Sequence, residues 1–242
     1  MFKIKNKTID ANRESKIGPD LDFSAAEAYN LLRTNLSFTF PGKEGGKLIG
    51  ITSASPAEGK SYTASNLSYS LAKDGKRVLL IDADMRKPSI AKKMQLNIAP
   101  GLSNLLIDRE GAFIHEKVLH DNLSVLTSGD APPNPSELIG SEEMRRNLKK
   151  FATEYDYIIV DLPPVMEVPD PLVIAKYLDG MIVVVMHDQA HKSDIKETVH
   201  KLQFVNVRIL GFVYNGYKTN YTRSYKKYSR YYVQKKNSKI KY

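Results

Sequence analysis

The chain contains no cysteine among its 242 residues, which excludes disulfides and thiolate-bound metals. It has no apolar run approaching the ~20 residues that a membrane span requires. The opening segment Met1-Phe2-Lys3-Ile4-Lys5-Asn6-Lys7 lacks the apolar centre of a signal peptide. A soluble, cytoplasmic chain is therefore expected. His115, His120, His187, His191 and His200 are scattered and form no metal-ligand spacing. Acidic residues are missing from one region only. From Lys218 to Tyr242 there are nine lysines and arginines and no Asp or Glu, so the whole net charge of +9 resides there and the rest is formally neutral. The last 26 residues also carry seven of the fourteen tyrosines and almost no aliphatic side chain. A segment of that composition cannot bury enough apolar surface to fold, and it reads as a basic, flexible tail.

Upstream of the tail, 42% hydrophobic residues suffice for a sizeable core. Residues 1–22 are polar and weakly periodic and read as an N-terminal arm. Ser24 with Glu27 has the form of a capping box for a helix ending near Ser37. Strands and helices then alternate. Apolar strands are expected at 48–53, 77–82, 123–127, 156–161, 180–186 and 208–214. Helices are expected at 61–73, 88–94, 141–153, 171–178 and 193–204. Continuous apolar runs such as Val78-Leu79-Leu80-Ile81 and Met181-Ile182-Val183-Val184-Val185 suit parallel strands covered on both faces. The pattern predicts an α/β fold: a doubly wound, mostly parallel sheet with helices on both faces, spanning residues 23–216. Ligands belong beyond the C-terminal ends of its strands.

The first strand runs into Ala54-Ser55-Pro56-Ala57-Glu58-Gly59-Lys60-Ser61, a phosphate-binding loop between a strand and a helix, which is the context that the motif requires. Its backbone N–H groups, continuing to Tyr62, can gather an anion at a helix N-terminus. Lys60 is placed to bridge the outer phosphates and Ser61 to ligate Mg²⁺. Alanine replaces the first glycine of the pattern, so the turn must avoid positive φ at Ala54. Two more strands end in carboxylates: Leu79-Leu80-Ile81-Asp82-Ala83-Asp84 and Tyr157-Ile158-Ile159-Val160-Asp161. Mg²⁺ uses one or two carboxylates together with phosphate oxygens, and Asp82, Asp84 and Asp161 beside the loop supply that chemistry. Arg86 reads either as a phosphate or loop-orienting cation or as a surface arginine. Asn215, ending the last strand, offers both a donor and an acceptor to an adenine edge, or simply turns the chain before Gly216. Asp170, ahead of Pro171, reads as a helix N-cap.

Taken together, the loop ending Glu58-Gly59-Lys60-Ser61, the run Leu79-Leu80-Ile81-Asp82-Ala83-Asp84-Met85-Arg86-Lys87-Pro88, the segment Pro132-Pro133-Asn134-Pro135-Ser136-Glu137-Leu138 and the tyrosine-rich tail resemble the bacterial tyrosine kinases of polysaccharide synthesis. The resemblance is to the form in which the kinase is a separate cytoplasmic chain. It has no counterpart of the His-Arg-Asp or Asp-Phe-Gly elements of eukaryotic kinases. It implies a P-loop NTPase fold using ATP and Mg²⁺, with Lys60, Asp82, Asp84 and Asp161 as catalytic residues. Ser61, Asp82, Asp84 and Asp161 lie near the metal, and Asp82 is the candidate for taking the tyrosine proton, with its role and that of Asp84 interchangeable. Protein tyrosines are the implied substrates, above all the cluster Tyr221, Tyr225, Tyr228, Tyr231 and Tyr232 of a neighbouring copy. The family's ring-forming helix element is matched at Glu27 and Arg33, with Asn30 in place of an arginine. A separate membrane adaptor would activate the kinase at the inner face of the membrane, and no nucleic-acid partner is expected. The competing reading is a partition- or positioning-type ATPase whose basic tail grips DNA or membrane.

Overall fold

The computed structural model describes residues 16–107 and 114–216. The tail tyrosines Tyr221, Tyr225, Tyr228, Tyr231 and Tyr232 lie outside these residues. Six strands make one sheet: β1 (Lys47–Ser53), β2 (Val78–Asp82), β3 (Leu123–Leu126), β4 (Tyr157–Asp161), β5 (Gly180–Met186) and β6 (Ile209–Asn215). Their order is β3-β2-β4-β1-β5-β6, and every pairing between them is parallel. Parallel strands need crossovers that cover both faces, and the apolar runs provide side chains for both. Ile49, Ile51, Leu80 and Ile159 pack on one face with Leu67 and Leu71 of α2 (Lys60–Lys73). Leu79, Ile81, Ile158 and Val160 pack on the other with Met144, Leu148 and Phe151 of α6 (Glu142–Glu154).

Helix α1 (Phe23–Ser37) packs on α2. Its N-terminus differs from the expected capping box: the carboxylate of Asp22 accepts from the Ala25 N–H at 2.8 Å, while Glu27 accepts from the Asn30 side chain. Asp and Ser cap about equally well, and the residue directly preceding the first helical turn takes the position. The described part of the N-terminal arm is packed. Ile17 is buried, and the Gly18 N–H donates to Asn66 of α2 at 2.9 Å. The remaining helices are α3 (Ile90–Met94), α4 (Leu102–Ile107), α5 (Pro135–Gly140), α7 (Asp170–Ile174) and α8 (Lys192–Phe204). Helices α4 and α5 have no counterpart among the sequence expectations. At six residues each, they are too short for a helical period to stand out.

Strand β1 is central, with β4 and β2 on one side and β5 on the other. The connections diverge around it, and a crevice opens at such a point beyond the strand C-termini. The loop from β1 to α2 occupies it.

Candidate active site

The phosphate-binding loop follows from β1 being buried to its last residue, which leaves Ala54–Gly59 to turn within a few residues onto the N-terminus of α2. Ala54 is buried and keeps negative φ; the positive angles fall at Ala57 (63°) and Gly59 (91°). Glycine suits position 59 because its φ of 91° strains any side chain, and a Cβ there would also displace the Asn215 amide, 2.0 Å away. Glu58 points inward. Its carboxylate accepts from the Ser55 N–H at 2.8 Å and the Met186 N–H at 3.1 Å, and its carbonyl accepts from Asn215 Nδ2 at 3.0 Å. The side chain of Glu58 therefore holds the loop's shape, and what the loop offers a phosphate is backbone N–H groups and the N-terminus of α2. Asn215 stitches the end of β6 to the same loop.

Strand register assembles the carboxylates. Asp82 and Asp161 are direct partners across β2 and β4, and Ile51 lies opposite Asp161 across β4 and β1. Residues in register share a face, here the face covered by α2. Lys60, the first residue of α2, brings its ammonium 2.7 Å from Asp84 Oδ2, 3.7 Å from Asp161 Oδ1 and 3.4 Å from the Ser61 hydroxyl. Asp84 also accepts from the Lys87 N–H at 3.0 Å. One oxygen of Asp82 accepts from the N–H groups of Ser89 and Ile90 at 3.2 and 3.0 Å, holding the start of α3. The other oxygen of Asp82 and both of Asp161 are buried and make no close hydrogen bond among the described residues, the Lys60 ammonium standing 3.7 Å from Asp161.

Buried carboxylates with few close partners are costly, and the acidities reflect this. Burial, reinforced by the neighbouring Asp161, pushes Asp82 up from 3.8 to about 7. Burial also raises Asp161, against the pull of Lys60 and Ser61. Burial works against the charge of Lys60, but Asp161 and Asp84 outweigh it and its pKa is raised. Loss of solvation is what makes the cluster receptive to added positive charge.

Above the cluster lies a cavity of about 1390 Å³, bounded by the phosphate loop, Asp84, α1 and the end of β6. Tyr62 stands at its wall, with its ring edge-on to Tyr29 at 6.3 Å between centroids. Arg86 also lines it, but its guanidinium is held by Asp170 (Nε to Oδ2, 3.1 Å) and by Ser136 (3.0 Å). This corrects the N-cap reading of Asp170. Its carboxylate is fully buried and accepts from Arg86 and Ser136, joining the loop after β2 to α5 and α7. A buried carboxylate demands a cation, and the sequence could not show that Arg86 supplies it across 84 positions. Sequence reasoning also passed over Lys93 of α3, half-buried and lining the cavity. No motif marks it; only its spacing from Asp82 in the fold does.

Glu27 and Arg33 lie on α1. Glu27 is exposed, whereas Arg33 donates to the Ser70 carbonyl at 3.1 Å and sits 3.5 Å from Asp74, both in or beside α2. Among the described residues no helix is long and apolar enough to cross a membrane.

Comparison with known proteins agrees with the geometry. Residues 46–210 match the AAA domain family. The tyrosine-protein kinase YwqD of Bacillus subtilis is 36% identical over 80% of this chain and 81% of its own length. The putative tyrosine-protein kinase EpsB of Ralstonia solanacearum is 36% identical over 88% of this chain, which corresponds to 29% of that longer protein. The solved kinase domain of the Escherichia coli tyrosine kinase ETK superposes with a TM-score of 0.74 at 30% identity, covering 82% of this chain and 80% of the domain.

Proposed function

This chain belongs to the bacterial tyrosine-protein kinases, and from that premise we propose that it transfers the terminal phosphoryl group of ATP to tyrosines in the tail of a neighbouring copy, Tyr221, Tyr225, Tyr228, Tyr231 and Tyr232. The observation that carries the reading is the position of Lys60 at the start of α2, within reach of Asp84 and Asp161 and beneath an open cavity.

Phosphoryl transfer needs positioning and charge stabilisation more than covalent help from the protein. The loop 54–61 binds the phosphates through N–H groups, and Ser55, Pro56, Ala57 and Gly59 keep the backbone close to them. As phosphates arrive, Lys60 exchanges part of its contact with Asp84 for phosphate oxygens and follows the charge that grows on the transferred group. The donor set suits Mg²⁺: Asp161 has two buried oxygens and Asp82 one that make no close hydrogen bond among the described residues. Ser61 and Asp84 stand beside them. No group of three or more acidic or histidine side chains among the described residues is arranged to hold a metal ion unaided, so Mg²⁺ here would depend on water and phosphate oxygens as well. When bound, Mg²⁺ neutralises phosphate charge. Asp82, whose pKa is raised by burial and by the neighbouring Asp161, is the candidate for receiving the phenol proton. The phenol it serves has an ordinary pKa near 10.

A tail tethered to a neighbour holds its tyrosines at high local concentration. Each phosphate adds about −1.5 to −2 charge, so five modified tyrosines offset the tail's +9. Contacts made by the basic tail then loosen. Arrangement of copies through Glu27 and Arg33 of α1, activation by a separate membrane adaptor at the inner face of the membrane, and a role in capsular or extracellular polysaccharide synthesis and export complete the proposal. The size relation to EpsB is in keeping with it, since the region matching this chain is a minor part of that longer protein.

Incubation with ATP and Mg²⁺ followed by phosphotyrosine detection is the test. The chain labels itself, and Lys60→Met reduces labelling about 10²–10³-fold. A chain ending at Gly216 labels full-length Lys60→Met in a mixture but not itself. ATP hydrolysis without any phosphotyrosine, accompanied by DNA or vesicle binding through the tail, would overturn the reading in favour of a positioning ATPase.

A further inference from the structure

Phosphate transfer from ATP brings at least three negative charges to a pocket lined by Asp84, with Asp82 and Asp161 buried beside it, and two of its cations are committed. Arg86 is tied to the buried carboxylate of Asp170, and Lys60 to Asp84. The ammonium of Lys93 is different. Lys93 lines the same cavity as Lys60, Ser61 and Asp84, and among the described residues it has no ion-pair partner; Lys16 and Lys87 line the cavity without one too, but they are exposed, whereas Lys93 is half-buried.

Its placement is fixed. Helix α3 is short, and its first turn hangs from Asp82, whose carboxylate accepts from the Ser89 and Ile90 N–H groups. Ile90 and Met94 bury the core-facing side of the helix. Lys93, one turn after Ser89 and hydrogen-bonded to its carbonyl through the backbone at 3.1 Å, is thereby carried on the same anchor that orients Asp82. Burial depresses the pKa of Lys93, while Asp161 and Asp82 draw on its charge and Lys60 repels it. A half-buried cation without a counter-ion is costly in the empty site, and that cost is relieved when an anion enters.

We propose that Lys93 is a second phosphate-binding cation of this site, contacting the terminal phosphate of the nucleotide from the carboxylate side while Lys60 approaches from the loop. The assignment rests on the nucleotide-binding reading above, but its test does not require phosphate transfer. Full-length chain is titrated calorimetrically, in Mg²⁺, with ADP and with the non-hydrolysable triphosphate AMP-PNP. Lys93→Met lowers AMP-PNP affinity about tenfold, within the range of a charge-assisted contact, and leaves ADP affinity within about twofold. Lys93→Arg recovers most of the preference for the triphosphate. An unchanged AMP-PNP-to-ADP ratio in Lys93→Met, or an equal loss for both nucleotides, overturns the assignment. If Lys93→Met shows the selective loss but wild-type chain never labels tyrosine, the kinase proposal fails and Lys93 stands.

Discussion

The centre of the sheet and its β6 edge answer opposite demands. Strands β2 and β4 are buried along their whole length and end in Asp82 and Asp161, which are themselves fully buried. Strand β6 is half-covered, with Phe212 and Tyr214 more than half exposed, and ends in Asn215, a neutral amide bonded to the phosphate loop. The comparison teaches where this fold tolerates cost. Buried carboxylates with so few close partners are held where dense apolar packing covers both faces, and the site's charge sits at that place. The edge bears little of the stability and serves as a rim.

The contrast can be broken or sharpened by four measurements. The largest effect belongs to the centre: Ile159→Ala, at a fully buried position between β1 and β2, costs about 2–5 kcal/mol in denaturant unfolding. Next comes Asp82→Asn, which keeps an acceptor for the Ser89 and Ile90 N–H groups but cannot ionise. The folded pKa of Asp82 is raised to about 7, so the folded state favours the protonated form. Near pH 4 and below, the carboxyl is protonated in both states and the variant gains little. As pH rises from about 4 to 7 the unfolded chain releases this proton while the folded chain retains it, so wild-type stability falls. Asp82→Asn is therefore more stable than wild type by an amount that grows over that window, on the order of a few kcal/mol by pH 7, read as a difference in thermal midpoint against pH. Third is Asn215→Ala, which removes the bond to the Glu58 carbonyl. It costs about 1 kcal/mol and weakens ADP binding in calorimetry. Smallest is Phe212→Ala, about 0.5 kcal/mol or less, as is usual for exposed positions. Equal costs at Ile159 and Phe212 would erase the distinction between centre and edge.

The same contrast governs what was legible in the chain. The central strands announced themselves as unbroken apolar runs, and Lys60 and Ser61 as a spaced motif, because both are local properties. The parallel direction of the strands was readable from the alternation of strands and helices; their order in the sheet was not. What escaped was pairing at a distance. That Asp170 holds Arg86 instead of capping a helix depends on α7 lying beside the loop after β2. That Lys93 faces the carboxylates depends on Asp82 gripping α3. Even Asp22 displacing Ser24 as the cap of α1 turns on where the first helical residue falls. Asp82 and Asp84, interchangeable in the sequence, differ in the fold: Asp82 is fully buried and holds the start of α3, and Asp84 meets the Lys60 ammonium.

The bond between Asn215 and Glu58 has one more consequence. The sheet's final residue grips the nucleotide cradle directly, and Gly216 follows it at once. Tension applied to the chain past that glycine therefore has a lever arm of a single side chain before it reaches the phosphate loop.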